Sequence, residues 1–374
     1  MAFENKPMLV FWELTKACPL CCIHCRADAI ASPAEGQMDT KSGMNLINQI
    51  ASFGNPPPII VFTGGDPMMR ADLGTLISYA SSKGIKSAVA PAVSQNLDKK
   101  ALYQLKEFGV SSISVSLDSS RAELHDSIRG VKGTYARTID AIEYALEIGL
   151  GVQINTVVMK QNVLELPAIF QLIKSLGVQI WEVFFLIATG RGNSASDMDP
   201  EYYESVCNFL YDASQYGMLV RTVEAPFIRR IAVQRKEEGP YWTSKIYEAM
   251  RSELFLRCGV PKGKTSILQR GTLDGDGIIF VSHDGAVSPG GFLPVVLGNV
   301  KSSSIIDIYR GNKDLLSIRG RKFSGPCGEC DYKYACGGSR ARAFSYNKDM
   351  LGSDPACVFA AEMSHFKKPA GAMP

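Results

Sequence analysis

Three thiols near the start of the chain, Cys18, Cys22 and Cys25, stand at the spacing C-x3-C-x2-C inside LTKACPLCCIHCRAD. On one short loop, three thiolates so spaced can hold three irons of a cubane 4Fe–4S cluster and leave the fourth iron without a protein ligand. An iron left open in this way can bind a small molecule, as open metal positions do in catalytic sites generally. Zinc is the alternative. It also binds C-x2-C pairs, but a structural zinc takes four ligands, so Cys21 or His24 would have to join. A second group of thiols lies near the other end, Cys327-x2-Cys330-x5-Cys336 with Cys357 further on.

The elements around the first group read as strands over 8–14, 59–62, 87–90, 112–117, 152–158 and 179–187, each followed by an amphipathic helix. Helices are expected over 71–82, 98–108, 134–148 and 201–216, and Asp39 or Thr40 caps an earlier one. Strand-then-helix units predict a parallel sheet with helical crossovers. Six units fall short of the eight of a closed barrel, so the expected form is an open or partial barrel. Chemistry in such folds gathers at the carboxyl ends of the strands. The cysteine loop, Thr63-Gly64-Gly65-Asp66-Pro67 and the turn after Leu117 all follow strands, and so converge on one mouth.

The pattern changes after residue 220. A charged helical stretch over 224–253 leads to glycine-rich turns and an expected hairpin, 278–282 with 286–288, turning at His283-Asp284-Gly285. Two domains are expected, 1–220 and 221–374.

Composition narrows the class. The chain has 374 residues, 46% of them hydrophobic, enough for a large core. A net charge of +3 is too balanced to imply nucleic-acid binding. No apolar run reaches a membrane span, and MAFENKPMLVFWEL lacks a signal-peptide core. Ten cysteines in a chain of this length do not form a disulfide scaffold. The expected compartment is the cytoplasm, where reduced thiols are available to iron.

Cys18, Cys22 and Cys25 together with TGGDP give the chain a resemblance to the radical S-adenosylmethionine (SAM) enzymes. The resemblance implies that SAM binds the open iron through its amine and carboxylate. Reductive cleavage then yields a 5′-deoxyadenosyl radical that abstracts hydrogen from a substrate. TGGDP lies where this family carries a GGE-type motif, with Asp66 in place of the usual Glu. Gly64 and Gly65 permit close backbone approach, so that carbonyls and the Asp66 carboxylate can accept from the SAM ammonium. Ser114, Ser116 and Asp118, in SVSLDSS, share one strand face and correspond to SAM-contacting positions; the plain alternative is a strand with a capping Asp. Asn155 on the next strand is a ribose candidate, and His24 is placed to pack beside the adenine. Arg129, in HDSIRGVKGTY, and Arg191, in TGRG, are candidate handles for a SAM or substrate carboxylate, against the alternative of solvated surface arginines. Cys21 reads as a small buried hydrophobe, and Cys207, on a helix, as structural too.

Residues 258–360 resemble the SPASM extension of radical SAM proteins, which holds auxiliary clusters. The implied fold is α/β, a partial (β/α)6 TIM-like barrel with a C-terminal α+β SPASM/twitch-type iron–sulfur domain. The resemblance assigns Cys327, Cys330, Cys336 and Cys357 to one auxiliary 4Fe–4S cluster, with zinc on the same four thiols as the alternative. A further auxiliary cluster is expected to be absent. Of its ligand positions only Cys258 is a cysteine; Asp276, and Ser339 and Arg340, stand at the others. Two 4Fe–4S clusters and SAM are therefore the expected cofactors.

CGGSRARAF, GSDPAC, CCIHCRADA and TGGDP are most similar to the haem-biosynthesis branch of the family, which includes SAM-dependent haem synthases. That branch implies an anionic tetrapyrrole as substrate, oxidative decarboxylation or side-chain trimming as the reaction, and a flavodoxin- or ferredoxin-type reductant. Arg129, Arg191, Arg340 and Arg342 would hold the anionic arms, unless Arg340 and Arg342 support the cluster loop. One alternative is peptide modification by a SPASM maturase of the RiPP class, although the segment before Met8 is too short for a leader-binding domain. The other is a non-enzymatic iron–sulfur electron carrier, which would need no SAM site.

Overall fold

The computed structural model describes residues 3–192, 197–269 and 271–360. Seven parallel strands pair in chain order: β1 (Leu9–Glu13), β2 (Ile59–Thr63), β3 (Ser87–Val89), β4 (Val110–Ser116), β5 (Gly151–Val158), β6 (Ile180–Phe185) and β7 (Leu219–Val223). The crossovers include α1 (Thr40–Ala51), α2 (Leu73–Ser82), α3 (Lys99–Glu107), α4 (Ala122–Arg129), α5 (Thr134–Glu147), α6 (Leu166–Ser175) and α7 (Pro200–Ala213). β7 adds one strand to the six expected, in the segment where the sequence pattern changes.

Side-chain alternation decides which face does what. Along β5, Val152, Ile154, Thr156 and Val158 are buried against the helices, while Gln153, Asn155 and Val157 are half-buried on the other face. Along β6, Trp181, Val183 and Phe185 are buried, and Ile180, Glu182 and Phe184 are half-buried. A one-residue slip would turn the tryptophan outward and the glutamate into the core, so register is strongly specified. The buried indole N–H of Trp181 donates to Thr156 Oγ1 at 2.9 Å, which satisfies the one polar atom of that ring. Asp39 and Asp98 cap α1 and α3 by accepting from the amides of Ser42 and Ala101, each cap worth about 1 kcal/mol.

The C-terminal segment builds on the free edge of β1. After α8 (Ile228–Glu238) and α9 (Lys245–Cys258), β8 (Leu273–Asp274) pairs with β9 (Gly277–Val281), and β9 lies parallel to β1. β10 (Ala286–Ser288) returns antiparallel to β9, forming the expected hairpin, and β11 (Gly298–Asn299) follows. The sheet order β11-β10-β9-β1-β2-β3-β4-β5-β6-β7 leaves β11 and β7 as edges, so the barrel is open. Helices α10 (Ile305–Gly311), α11 (Lys313–Arg319), α12 (Gly325–Glu329) and α13 (Arg340–Asn347) complete the chain. No helix among the described residues is long and apolar enough to cross a membrane.

Candidate active site

Cys18, Cys22 and Cys25 follow β1 and line one cavity of about 600 Å3 that runs along the concave face of the sheet. Neighbouring loops clamp the cysteine loop through its backbone. The amides of Gly65 and Asp66 donate to the carbonyls of Thr15 and Ala17, both at 2.7 Å. The Arg191 amide donates to Cys25 O at 2.9 Å, and its guanidinium to Cys22 O at 3.0 Å and Ala29 O at 2.8 Å. The glycines there have no room for a side chain. A Cβ on Gly65 would lie 2.6 Å from Lys16 O, and one on Gly130 2.6 Å from Cys21 O. A Cβ on Gly190 would run into Cys25 O, and Gly190 is also left-handed, at φ +56°.

The thiols fit a cationic metal centre. Burial pushes Cys18 up to about 12 and also raises Cys22, the latter opposed by Arg129, whose Nη1 lies 3.8 Å from Cys22 Sγ. Buried thiols of this kind become thiolates readily only when metal charge compensates them. Among the described residues, no three His, Cys, Asp or Glu side chains converge on a single ion.

The other predicted residues divide in two. Gly64, Gly65, Ser114, Ser116, Asn155, His24, Arg129 and Arg191 all line the cavity with the three cysteines. Asp66 and Asp118 are fully buried behind it. The Asp66 carboxylate accepts from the amides of Met68 and Ala92 at 3.1 and 3.2 Å and from Ser94 Oγ at 3.3 Å, and so fixes the turn itself. Asp118 forms an ion pair with Arg129 and accepts from the Val157 amide at 2.9 Å. Burial raises its pKa, but Arg129, His24, His125 and the Val157 amide together hold the carboxyl below its ordinary value. Burial, helped by Arg129, lowers His24 to about 4, so its ring is neutral at pH 7. Cys21 is exposed, Cys207 is buried on α7, and Cys258 is half-buried at the end of α9.

Sequence reasoning missed two features of the cavity. Ser116, Asn155, Glu182 and Arg221 stand in register on β4, β5, β6 and β7, forming one polar row across the sheet. Gln153 Nε2 donates to Asn155 Oδ1 and Glu182 Oε2, both at 2.8 Å. Burial raises the Glu182 carboxyl, with Arg221 and Gln153 opposing. The alternation in IWEVFF already sets Glu182 on the face opposite Trp181, and that was the available signal. The second feature is a pair of acids on the far wall, Glu224 and Asp274. Burial pushes both carboxyls up, and for Asp274 the charge of Glu224 adds to that effect. Ser339 Oγ donates to Glu224 Oε2 at 2.5 Å. A Cβ on Gly290 would collide with the Asp274 carboxylate.

Cys327, Cys330, Cys336 and Cys357 line a separate space of about 20 Å3, with Arg230, Tyr332 and Phe359 beside them. Burial raises Cys330 and Cys336 and takes Cys357 to about 11. The amides of Asp354 and Gly338 donate to the sulfurs of Cys327 and Cys336, both at 3.4 Å, and Arg340 Nη2 lies 3.9 Å from Cys327 Sγ. Arg340 and Arg342 are buried and bound by protein: Arg340 donates to Gly352 O at 2.6 Å, and Arg342 to Glu224 O at 2.8 Å and to Asp354. Asp276 forms an ion pair with Arg321 at 2.8 Å, and the Ser339 amide donates to Asp354.

A model described as the radical SAM superfamily matches residues 12–173. The chain is 36% identical to an "AdoMet-dependent heme synthase" of Oleidesulfovibrio alaskensis, covering 97% of this chain and 89% of that one. It is 31% identical to an "Fe-coproporphyrin III synthase" of Methanosarcina barkeri, over 96% and 89%. Identity to a "PqqA peptide cyclase" of Rhodopseudomonas palustris is 24%, over 95% and 87%. Among solved structures, anSMEcpe with bound AdoMet superimposes with a TM-score of 0.68 over 96% of both chains at 16% identity. SuiB of Streptococcus suis, bound to precursor peptide SuiA, gives 0.69 over 95% of this chain and 76% of that one, also at 16% identity.

Proposed function

The chain belongs to the radical SAM superfamily, and we propose that it removes carboxyl groups, or trims side chains, from an anionic tetrapyrrole in haem biosynthesis. When bound, the 4Fe–4S cluster and SAM supply a reductively generated 5′-deoxyadenosyl radical able to abstract hydrogen from an unactivated carbon. Cys18, Cys22 and Cys25, which line the cavity, would hold that cluster. The backbone of Gly64 and Gly65 would receive the SAM amine, and Ser114, Ser116 and Asn155 its ribose. His24 would pack beside the adenine. Arg129 and Arg191 shape the cysteine loop and keep donors for a SAM carboxylate, since Arg129 Nε and Arg191 Nη2 are buried without a hydrogen-bond partner. Asp66 and Asp118 act from behind the wall, by fixing the turn and Arg129.

The observation that carries this reading is the size and lining of the cavity. About 600 Å3 of space is lined by the three cysteines together with apolar residues that include Phe11, Ile278, Phe280 and Phe292. A flat, largely apolar ligand fits such walls. Relatives named for haem and Fe-coproporphyrin synthesis support the same class. A non-enzymatic carrier has no use for a cavity of this size at its cluster. Peptide modification is the second reading, supported by fold likeness to SuiB and by the weaker match to the peptide cyclase.

Within this reading, residues 1–220 form the radical-generating part. Residues 221–374 carry an auxiliary 4Fe–4S cluster on Cys327, Cys330, Cys336 and Cys357, and a flavodoxin- or ferredoxin-type protein in the cytoplasm supplies electrons. The test is anaerobic reconstitution, then SAM, dithionite and iron-coproporphyrin III, with mass spectrometry of the porphyrin. Loss of CO2 alongside 5′-deoxyadenosine is expected. Steady 5′-deoxyadenosine release with unchanged porphyrin would sink the tetrapyrrole reading and favour the peptide one.

A further inference from the structure

Six arginines line the main cavity: Arg26, Arg129, Arg191, Arg221, Arg229 and Arg340. Five are committed to the protein itself. Arg26 pairs with Glu13 at 3.1 Å, and Arg129 with Asp118. Arg191 is bound to carbonyls of the cysteine loop, Arg229 to Thr272 O at 2.7 Å, and Arg340 to Gly352 O. Arg221 alone of the six has a side chain that makes no hydrogen bond or ion pair with another described residue. It is exposed at the β7 end of the polar row, directly opposite Glu182 in the strand register. Glu182 faces it across that step but is already bonded to Gln153. An exposed guanidinium in a mostly apolar cavity, attracted by the Glu182 charge but hydrogen-bonded to no described residue, has its planar fork of N–H groups available to a ligand.

We propose that Arg221 binds a carboxylate arm of the substrate, with Glu182 setting where the guanidinium sits; this rests on the tetrapyrrole reading and names its anion-receiving residue. The position suits the chemistry. Ser116 and Asn155, assigned to SAM, occupy the other half of the same row, so one line of side chains carries the cofactor at one end and the substrate's charge at the other. Leu219 and Val220 beside Arg221 continue the apolar wall, and a flat ligand lying on it presents its charged arms at its edge. Arg221 is then a specificity residue for carboxylated over uncharged ligands.

The test titrates reconstituted holoenzyme with iron-coproporphyrin III and with its tetramethyl ester, following the porphyrin absorbance. The wild type is expected to bind the acid more tightly than the ester. Arg221→Gln should lose about tenfold in affinity for the acid while the ester is unaffected, and Arg221→Lys should recover part of that loss. Equal weakening of acid and ester in Arg221→Gln would mark a structural role and overturn the assignment. So would an acid affinity within about twofold of wild type. If the wild type binds neither porphyrin, the tetrapyrrole reading itself fails, and the carboxylate assignment falls with it.

Discussion

Both groups of cysteines offer thiols raised by burial, and in each an arginine lies beside one sulfur: Arg129 at 3.8 Å from Cys22 and Arg340 at 3.9 Å from Cys327. What separates them is space. Cys18, Cys22 and Cys25 open onto about 600 Å3, whereas Cys327, Cys330, Cys336 and Cys357 line a space of about 20 Å3. Three ligands beside a large cavity leave a metal position and room for a reactant. Four ligands around a small space leave neither. The arginines follow the same division: Arg129 faces the cavity with Asp118 behind it, while Arg340 is tied to Gly338, Met350 and Gly352 carbonyls. The chemistry a cysteine group can do is set by what it faces as much as by how many thiols it has.

The largest effect expected from this comparison is on SAM cleavage. Cys22→Ala should abolish 5′-deoxyadenosine formation and remove about half the iron, by the stoichiometry of two cubanes. Cys336→Ala should remove a similar amount of iron yet still cleave SAM with dithionite. If Cys336→Ala instead silences SAM cleavage while the first cluster's electron paramagnetic resonance signal persists, the two sites are not separable in function.

Next in size is the charge behind each group. Arg129→Met leaves Asp118 as an unpaired buried anion and should cost about 3–5 kcal/mol of stability. The double change with Asp118→Asn should recover most of it. Thermal unfolding of the two variants under anaerobic conditions measures the difference, and equal melting temperatures would show that the pair is not a unit. Smaller again is the backbone contact at Gly190. Gly190→Ala forces a side chain at φ +56° against Cys25 O. A cost of about 2 kcal/mol is expected from the left-handed conformation, with poorer cluster retention after gel filtration. Gly177→Ala, at φ +82° with nothing within reach of its Cβ, is the control for conformation without contact.

Much of this arrangement was legible in the sequence, because alternation and thiol spacing are local. IWEVFF and VQINTVV declare a buried and an open face, and C-x3-C-x2-C declares a cluster loop. Partners were not legible, since they meet across long separations. Nothing local says that Asp118 turns to Arg129 rather than to a ligand, or that Asp66 is consumed by the amides of Met68 and Ala92. β7 escaped notice because LVRTV is short and adjoins the charged segment that suggested a boundary, and Arg221 went unread with it. Arg340 and Arg342 were legible only as alternatives, since the carbonyls of Met350, Gly352 and Glu224 that they bond lie far from them in sequence or beyond a turn.

The smallest predicted effect concerns the acids that link the two regions. Glu224 lines the open cavity and accepts from Ser339, three residues beyond Cys336, and Asp274 completes the pair. Arg342, Arg340 and Asp354 are the charged groups around it. Both carboxyls are raised in the fold, so above about pH 4 the unfolded chain holds fewer protons here than the native one. Stability must then fall as pH rises, by at most about 1.4 kcal/mol per pH unit for one proton, until the pair ionises. Asp274→Asn removes one of the two raised acids and should flatten that slope. Melting temperatures across a pH series through neutrality compare the two proteins. Parallel slopes would mean no extra proton is held in the native state over that range, and the wall between the two cysteine groups would then carry a full pair of charges.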